Sequence, residues 1–458
     1  MKVGELIPLF VIALVLIPLT SLGEAGTTFA IPPWNHCLGL HKVTQFHLNI
    51  FSGYSEKFDD PQGLFCTKII CKDDTTTEKD DDELTVFGLN TGRNRIIYNK
   101  SLTSIGIVGG QGEELLKFNR PFSITGDRQG NIFIADTGNN RLMHLRYEDD
   151  ELIAVKDIKG TEEEPLERPS GVCLSGGLLY TADKGNDRIV VFETDGSIVD
   201  RFTPEINGLK LHRPYSIAVI SEGDEWFYYR DNFLAVVDSL GKRLWKISTE
   251  GEALGLVRYT PLGESGGFNH VAIDYYGNIY VTDKVKGVIH KFDRHLNYIV
   301  AIGERNGGGH QFDEPRGITI YRRFGQIFVS ERAGARYYWI GTDLLRLTLK
   351  RLVFDTDSKR CSIDVSFLIT EHSLVSLHLE DEKGKKRFTI LADYILPGGK
   401  FNRRINVKCS NAEQLAKCKL RLVAIAKPTY ASKAFLKVIR KSRLIEPIIS
   451  SADISVSR

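Results

Sequence analysis

Short runs of apolar, β-branched and aromatic residues, separated by Gly, Asn and Asp, make up most of the chain between residues 42 and 341. Runs of this length with turn-forming residues at both ends are typical of β-strands. The runs form a phrase that occurs six times. One complete copy contains Phe118–Ile124, Asn131–Asp136 and Gly138–Arg141. The other copies open near Asp60, Arg168, Arg213, Phe268 and Glu314.

The spacing of the phrase predicts a β-propeller. Its prolines Pro121, Pro169 and Pro214 are 48 and 45 residues apart, and a repeat of about 40 to 50 residues built from short strands is typical of a propeller blade. One copy is too short to bury both faces of its own sheet, so neighbouring blades must pack together and the ring must close. Six copies predict an all-β fold with a six-bladed β-propeller.

The phrase also resembles a known family. Residues 118–124 and 127–141 follow the pattern F-x-x-P-x-x-I, then D-x-x-G-N-I-F-I-A-D, then G-N-N-R. This run is similar to the blades of the NHL-repeat family, and the resemblance covers roughly residues 42–341. It implies a propeller whose ligands bind at one mouth of the central channel, where the innermost strands begin.

The N-terminal part of the repeat region indicates how the ring closes. In the inner copies a fourth strand precedes the next phrase, and residues 41–53 have the same form without any blade before them. We expect residues 42–52 to be the missing fourth strand of the last blade and to pair with residues 328–340. Such closure removes exposed sheet edges, which favour aggregation.

A second domain follows Gly341, where the phrase stops. Alternating strand patterns over about 90 residues predict an antiparallel β-sandwich. Its order of an acidic residue, Gly384-Lys385, a strand and Leu396–Gly399 is similar to immunoglobulin-like FlgD-like domains and to C-terminal sorting domains of some exported bacterial proteins. A structural spacer is the favoured interpretation. The predicted organisation is a signal peptide or N-terminal anchor at 1–30, the propeller at 31–343, the sandwich at 344–441 and a flexible tail at 442–458.

The N-terminus predicts export. Lys2 and Glu5 precede an uncharged apolar run from Leu6 to Leu22, and small residues follow it. This order is typical of a secretory signal, with cleavage after Ala25 or Ala30. An uncleaved membrane anchor is the alternative, although a run of about 17 residues is at the short limit for a span. The expected location is secreted or in the cell envelope.

Composition adds little about partners. The formal net charge is +2, with 60 Lys and Arg against 58 Asp and Glu, so no bulk field attracts nucleic acid or a membrane. Export permits disulfides. The seven cysteines leave at least one unpaired within the chain, and Cys409 and Cys418 flank a segment short enough for a disulfide to staple.

The residue after each proline of the phrase is predicted to line the channel mouth. Two of these residues are aromatic, three are polar and one is a cation, so core packing alone does not explain them. A solvated rim without a ligand remains the alternative. The predicted ligand-binding residues are Gln62, Phe122, Ser170, Tyr215, Asn269 and Arg316.

A metal at the mouth is a weaker hypothesis. Asp136, Asp183, Asp283 and Glu331 recur once per blade, and converging carboxylates suit Ca²⁺ or Mg²⁺. A repeated turn explains the same residues better, because Asp and Asn side chains bond nearby backbone amides. Some similar propellers, the peptidylglycine amidating lyases, bind zinc through several inner-strand histidines. Only His270 is near such a position here, and one histidine does not make a catalytic zinc site.

The sequence therefore predicts an exported, noncatalytic scaffold without a cofactor, whose propeller mouth binds a protein, peptide or glycan. No nucleophile elbow, phosphate-binding Gly loop or zinc-protease motif occurs. We expect no nucleic-acid partner, and membrane contact only through an uncleaved N-terminal segment. The alternative is a propeller enzyme, a lyase or hydrolase with a metal at the channel mouth.

Overall fold

The computed structural model describes residues 28–32, 41–72, 84–101, 104–238, 242–262, 265–303, 312–430, 438–445 and 448–450. The predicted all-β propeller fold is confirmed. Six sheets follow one another along the chain, their inner strands contact in sequence order, and the innermost strand of the last sheet contacts that of the first. We call these sheets blades 1 to 6. None of the described helices has the length and hydropathy that a membrane span needs.

The blades are antiparallel sheets ordered from the channel outward. Blade 1 contains Pro61–Thr67, Thr85–Asn90, Arg95–Ser101 and Ser104–Gly109. Blade 2 contains Pro121–Gly126, Asn131–Asp136, Arg141–Glu148 and Glu151–Ile158. Blade 3 contains Pro169–Ser175, Leu178–Asp183, Arg188–Glu193 and Ile198–Phe202. Blade 4 contains Pro214–Ile220, Phe233–Asp238, Arg243–Ile247 and Ala253–Arg258.

The last two blades have shorter inner strands. Blade 5 contains Val271–Ile273, Ile279–Asp283, Val288–Phe292 and Tyr298–Ile302. Blade 6 contains Ile318–Tyr321, Gln326–Glu331 and Gly334–Ile340, with the N-terminal strands described below. A small pair, Glu205–Ile206 with Leu209–Lys210, lies between blades 3 and 4. The 3₁₀ turns are Ile70–Lys72, Thr91–Arg93, Thr137–Asn139, Lys184–Asn186 and Thr260–Leu262.

The glycine of the phrase allows neighbouring inner strands to approach closely. A Cβ on Gly171 would lie 2.9 Å from the backbone nitrogen of Ile217 in the next blade. A Cβ on Gly317 would lie 2.0 Å from the carbonyl oxygen of Gln62. Only glycine fits at such contacts, which explains why the phrase carries it near the start of the inner strand.

A second repeated feature joins blade 1 to blade 2 and blade 2 to blade 3. Asn94 and Asn140 adopt left-handed backbone conformations, with φ of 55° and 53°. Their side-chain oxygens accept hydrogen bonds from the backbone nitrogens of Arg120 (2.6 Å) and Arg168 (2.8 Å) in the following blade. Asn and Asp suit this position because they tolerate a positive φ and bond nearby amides. The Gly-Asn part of the phrase therefore supplies a hydrogen bond between neighbouring blades.

Ring closure differs from the prediction in detail. Only Lys42–Thr44 of the expected strand pairs with blade 6, opposite Gly334–Arg336, and Gln45–Ser52 form an α-helix instead. The helix begins where His47 Nδ1 accepts a hydrogen bond from Thr44 N (3.2 Å), and it ends at Gly53, whose φ of 62° suits a helix C-terminus. The prediction that all of 42–52 is a strand is wrong.

An earlier segment supplies the rest of the closure. Phe29–Ala30 pair with Ile340 and Trp339 of blade 6. Phe29 is fully buried and packs against Tyr280 and Tyr338, with ring centroids 6.1 and 5.6 Å away. These residues lie within the span predicted as signal or anchor, most of which, residues 1–27, is outside the described residues.

The C-terminal region contains two four-stranded sheets that share one apolar core. One sheet contains Gly399–Lys408, Arg360–Ile369, Leu344–Asp355 and Ile448–Ser450. The other contains Lys386–Leu396, Ser373–Glu380, Leu420–Pro428 and Ile439–Ile445. A short helix, Ala412–Ala416, packs against the first sheet. The immunoglobulin-like and FlgD-like assignments remain predictions.

The tail prediction for this sandwich is wrong, and the disulfide that the cysteine spacing permits is not present. The tail predicted to begin at residue 442 starts inside a strand, and residues 448–450 pair in parallel with 353–355. Cys409 and Cys418 are unpaired thiols. Cys409 is instead buried near Cys361, and burial together with this neighbour raises the pKa of the Cys361 thiol to about 12.

The sandwich is joined to blade 5 by a buried polar seam. Glu371 of the sandwich forms an ion pair with Lys291, and both side chains are fully buried. The same carboxylate accepts hydrogen bonds from Asn278 Nδ2 (3.0 Å) and Tyr280 Oη (3.1 Å). A buried, fully bonded ion pair fixes the arrangement of the elements that carry it. The sandwich is thus attached to the propeller rather than separated from it.

Candidate functional site

The residues predicted at the mouth do not surround an open hole. The side chain of Phe122 from blade 2 stacks on His270 from blade 5, with centroids 4.7 Å apart and planes 16° apart. Tyr215 from blade 4 packs against Phe122 at 4.5 Å. Because blades 2, 4 and 5 lie at different positions around the propeller, the three aromatic side chains meet across the channel and close it.

Polar side chains complete this closure. Gln62 of blade 1 lies 3.2 Å from His270 Nε2 through its Oε1, and Tyr215 Oη donates a hydrogen bond to Asn269 Oδ1 (3.1 Å). Arg316 of blade 6 pairs with Asp60, which also accepts a hydrogen bond from Gln62 Nε2 (2.8 Å). Five of the six predicted residues therefore belong to one connected cluster, which we call the mouth cluster.

Ser170 is the exception. Its side chain is 1% exposed, and its Oγ donates a hydrogen bond to the carbonyl oxygen of Pro214 in the next blade (3.0 Å). The hydroxyl thus joins two inner strands and does not face the mouth cluster. The sequence position was equivalent to that of Phe122 and Tyr215, but a short side chain cannot reach across the channel.

His270 contacts both Phe122 and Gln62 at the centre of the mouth cluster. The sequence indicates no role for it beyond that of a lone zinc ligand, because its partners are distant along the chain. Burial, with a smaller contribution from Lys284, lowers the pKa of His270 to about 3. The imidazole is therefore neutral at physiological pH and acts as a flat packing surface with one polar edge.

Cations lie above the mouth cluster. The Lys184 ammonium is 5.0 Å from the centroid of the Tyr215 ring. Burial lowers the pKa of Lys184, and the nearby guanidinium groups of Arg213 and Arg168 lower it further. Three cations thus share one side of the mouth, and like charges held together in a folded protein are a signal of function.

The acidic residues considered for a metal have structural roles in blades 2 and 3. Asp136 is fully buried and accepts hydrogen bonds from Asn119 N (2.7 Å) and Arg141 Nε (2.9 Å). Asp183 repeats the arrangement with the backbone of the preceding loop and with Arg188 Nε (2.8 Å). Each carboxylate holds the loop that enters its own blade.

The equivalent carboxylates of blades 5 and 6 also bind backbone amides, although Asp283 bonds the turn that follows its own strand. Asp283 accepts a hydrogen bond from Lys286 N (3.0 Å). Glu331 accepts one from Asp313 N (2.9 Å) and pairs with Arg336 (2.8 Å). The part of the chain that the structure describes contains no group of three His, Cys, Asp or Glu side chains placed to hold a metal ion. The repeated-turn interpretation therefore accounts for these residues.

Beneath the mouth cluster the channel contains a cavity of about 490 Å³. All six blades line it, and its lining extends to the loops at the opposite end from the mouth. Two ion pairs lie at that end: Arg128 with Glu225 (2.9 Å) and Arg322 with Asp224 (2.8 Å). His270 forms part of the boundary between the cavity and the mouth.

Comparison with known proteins supports an NHL-type propeller. The model of the NHL repeat matches residues 166–192, which include the first two strands of blade 3. The RING finger protein nhl-1 of Caenorhabditis elegans is 46% identical over 50 residues, which are 11% of this chain and 5% of that protein. The match thus spans a small part of that relative's length.

Several solved structures are similar to this chain at low sequence identity. A streptogramin B lyase is 12% identical, with a TM-score of 0.42 over 65% of this chain and 96% of the lyase. A gluconolactonase from Xanthomonas campestris is 12% identical, with a TM-score of 0.44 over 70% and 99%. A chain of a nidogen/laminin complex is 18% identical, with a TM-score of 0.40 over 57% and 85%. At these values the likeness carries no argument about this chain.

Proposed function

We propose that this protein is an exported, noncatalytic scaffold whose propeller mouth binds a protein, peptide or glycan. The observation that carries the proposal is the mouth cluster, in which side chains from opposite blades meet across the channel. Tyr215 and Arg316 belong to this cluster, and they are residue types that anchor interfaces. The sandwich, which resembles FlgD-like domains, is held against blade 5 and serves as a fixed support.

An enzyme with a metal at the mouth is less well supported. Asp136, Asp183, Asp283 and Glu331 each use their oxygens to hold backbone amides or basic side chains of their own blades. A metal ligand set drawn from them would break these bonds in several blades at once. Carboxylates committed to hydrogen bonds in this way are poor candidates for a shared ion.

The experiment is a pull-down from the envelope or culture medium of the native host, with protein lacking the signal segment as bait. Tyr215→Ala and Arg316→Ala are the test variants, and Tyr394→Ala is the control because Tyr394 is 54% exposed on the sandwich. We expect a saturable partner to bind the control normally and both mouth variants weakly. A partner that binds all three with equal affinity would place the site elsewhere.

A further inference from the structure

Charged side chains are unevenly distributed around the mouth, which the mouth cluster closes. On the side formed by blades 2 to 5, Arg120, Arg168, Lys184 and Lys284 form no ion pair with any residue that the structure describes. On the side formed by blades 6 and 1, Arg316 is paired with Asp60 and Glu314. These four described cations without an ion pair therefore lie together on one arc of the rim.

A buried donor beneath this arc reinforces its sign. Asn269 Nδ2 has no acceptor among the described residues. Asn269 is 5% exposed and directs its Oδ1 to Tyr215. Unpaired buried donors leave their positive ends uncompensated. Both the rim and the layer below it therefore favour an incoming acceptor with negative charge.

From this arrangement we infer that the partner presents an acidic peptide segment to the arc formed by Arg120, Arg168, Lys184 and Lys284. The inference rests on the proposed function and assigns a chemical class to its ligand. Carboxylates are matched by the guanidinium groups, which can bond them with two parallel hydrogen bonds. Lys184 adds a point charge over the aromatic face of Tyr215, which holds the ammonium in place.

The same geometry disfavours a nucleic acid. Single strands bind protein surfaces without sequence preference by stacking bases on exposed aromatic faces. Phe122 is covered by His270, and Tyr215 lies between Phe122 and Lys184. The paired acids Asp60 and Glu314 border the other side of the mouth and would repel a phosphate backbone crossing it. A short acidic segment can occupy the arc without meeting them.

The test measures binding of three rhodamine-labelled probes to the full chain lacking its signal segment: hexaglutamate, hexalysine and a uridine dodecamer. Fluorescence anisotropy at low salt should detect hexaglutamate binding in preference to hexalysine, weakening as salt rises. Lys184→Gln and Lys284→Gln should each weaken hexaglutamate binding by about twofold to fivefold, the range for single exposed charge pairs. Lys383→Gln, an exposed change on the sandwich, should leave it unaltered.

Each contrary outcome has a distinct meaning. Equal binding of hexaglutamate and hexalysine, or an equal loss for Lys184→Gln and for the sandwich control Lys383→Gln, would overturn the acidic ligand. Tighter binding of the uridine dodecamer would replace the peptide by a nucleic acid. If the pulled-down partner is lost with Tyr215→Ala but is indifferent to Lys184→Gln and Lys284→Gln, the mouth remains the site and only the acidic ligand class fails.

Discussion

His270 and His372 both stack on aromatic rings, and their surroundings differ. At the mouth, His270 lies on Phe122 with centroids 4.7 Å apart. At the seam with the sandwich, His372 lies on Tyr276 at 4.2 Å and 6°. Burial lowers the pKa of both imidazoles, so each serves as a neutral packing surface. The stacks are alike, and the charges around them are not.

At the seam the buried charges have partners within the chain. Lys291 is paired with Glu371, and His372 Nδ1 lies 2.6 Å from Thr429 Oγ1. At the mouth, Lys184 and Lys284 have no ion-pair partner among the described residues. A complete polar network fixes structure, whereas a cationic surface without partners is suited to an external ligand. The difference separates a structural site from the proposed binding site.

The largest expected effect comes from removing the carboxylate of the seam. Glu371→Gln leaves Lys291 buried without its counter-charge and should lower the free energy of unfolding by about 3 to 5 kcal/mol. Denaturant unfolding measures it. The matched control is Glu413→Gln, whose exposed pair with Lys417 should contribute little to the free energy of unfolding. Equal losses in the two variants would show that the seam is not a buried ionic contact.

The next effect tests the N-terminal segment that packs beside the seam. Phe29→Ala should cost about 3 kcal/mol, because a fully buried phenyl ring is lost from a core that includes Tyr280. Phe46→Ala is the control, since Phe46 is 57% exposed on the helix.

If export involves cleavage of the N-terminal segment, the packing of Phe29 predicts that the cleavage falls before Thr28. A stable mature protein that begins at Ile31 would contradict this.

A smaller effect is expected for the repeated carboxylates of the blades. Asp136→Asn weakens the bonds to Asn119 N and Arg141 and should cost about 2 kcal/mol, within the range for hydrogen bonds to charged groups. Asp149→Asn, at an exposed position, is the control. Thermal unfolding with and without a chelator checks the interpretation. A chelator that destabilises the parent but not Asp136→Asn would restore the metal hypothesis.

The contributions of the mouth and the seam to the free energy of unfolding should change with pH in opposite directions. The pKa of His270 is about 3 in the folded chain and near 6.5 when unfolded, so its contribution is complete above pH 6.5 and is lost as pH falls, by about 1.4 kcal/mol per pH unit. Burial and the neighbouring Glu371 raise the pKa of Asp274 from its usual value of 3.8. Its contribution is complete below that unfolded pKa and is lost as pH rises.

Variants separate these two contributions. His270→Gln should flatten the stability curve below pH 6.5, and Asp274→Asn should flatten it on the side where the parent loses stability as pH rises. Stability is read from denaturant midpoints across about pH 4 to 8, against His295→Gln as a control in an exposed turn. Unchanged slopes in both variants would show that neither group is buried as the structure has it.

The propeller could be predicted from the sequence because residues with local structural roles recur in each repeat. Gly171 and Asn140 recur in register with equivalent residues of other blades, and each satisfies a contact between neighbouring blades. Ser170 and His270 could not be assigned in this way. Whether a side chain crosses the channel depends on its length and on residues far away in the chain, such as Gln62 for His270.

The seam was missed for a related reason. Glu371 and Lys291 belong to different domains and occur once each, so no periodicity marks them. The helix at Gln45–Ser52 was missed because strand-like alternation in the fourth-strand position outweighed its helix-ending Gly53. Local patterns predicted the elements that repeat, and tertiary contacts decided those that do not.

Photo-cross-linking in the native envelope or medium tests most directly whether the propeller mouth binds a partner. A diazirine-bearing lysine analogue is placed at Lys184 on the mouth, which is partly exposed, or at Lys383 on the sandwich, which is exposed. We expect a cross-linked partner from position 184 and none from position 383. A partner captured only from position 383 would contradict it, because the sandwich would then be the binding surface and the mouth a closed end of the channel.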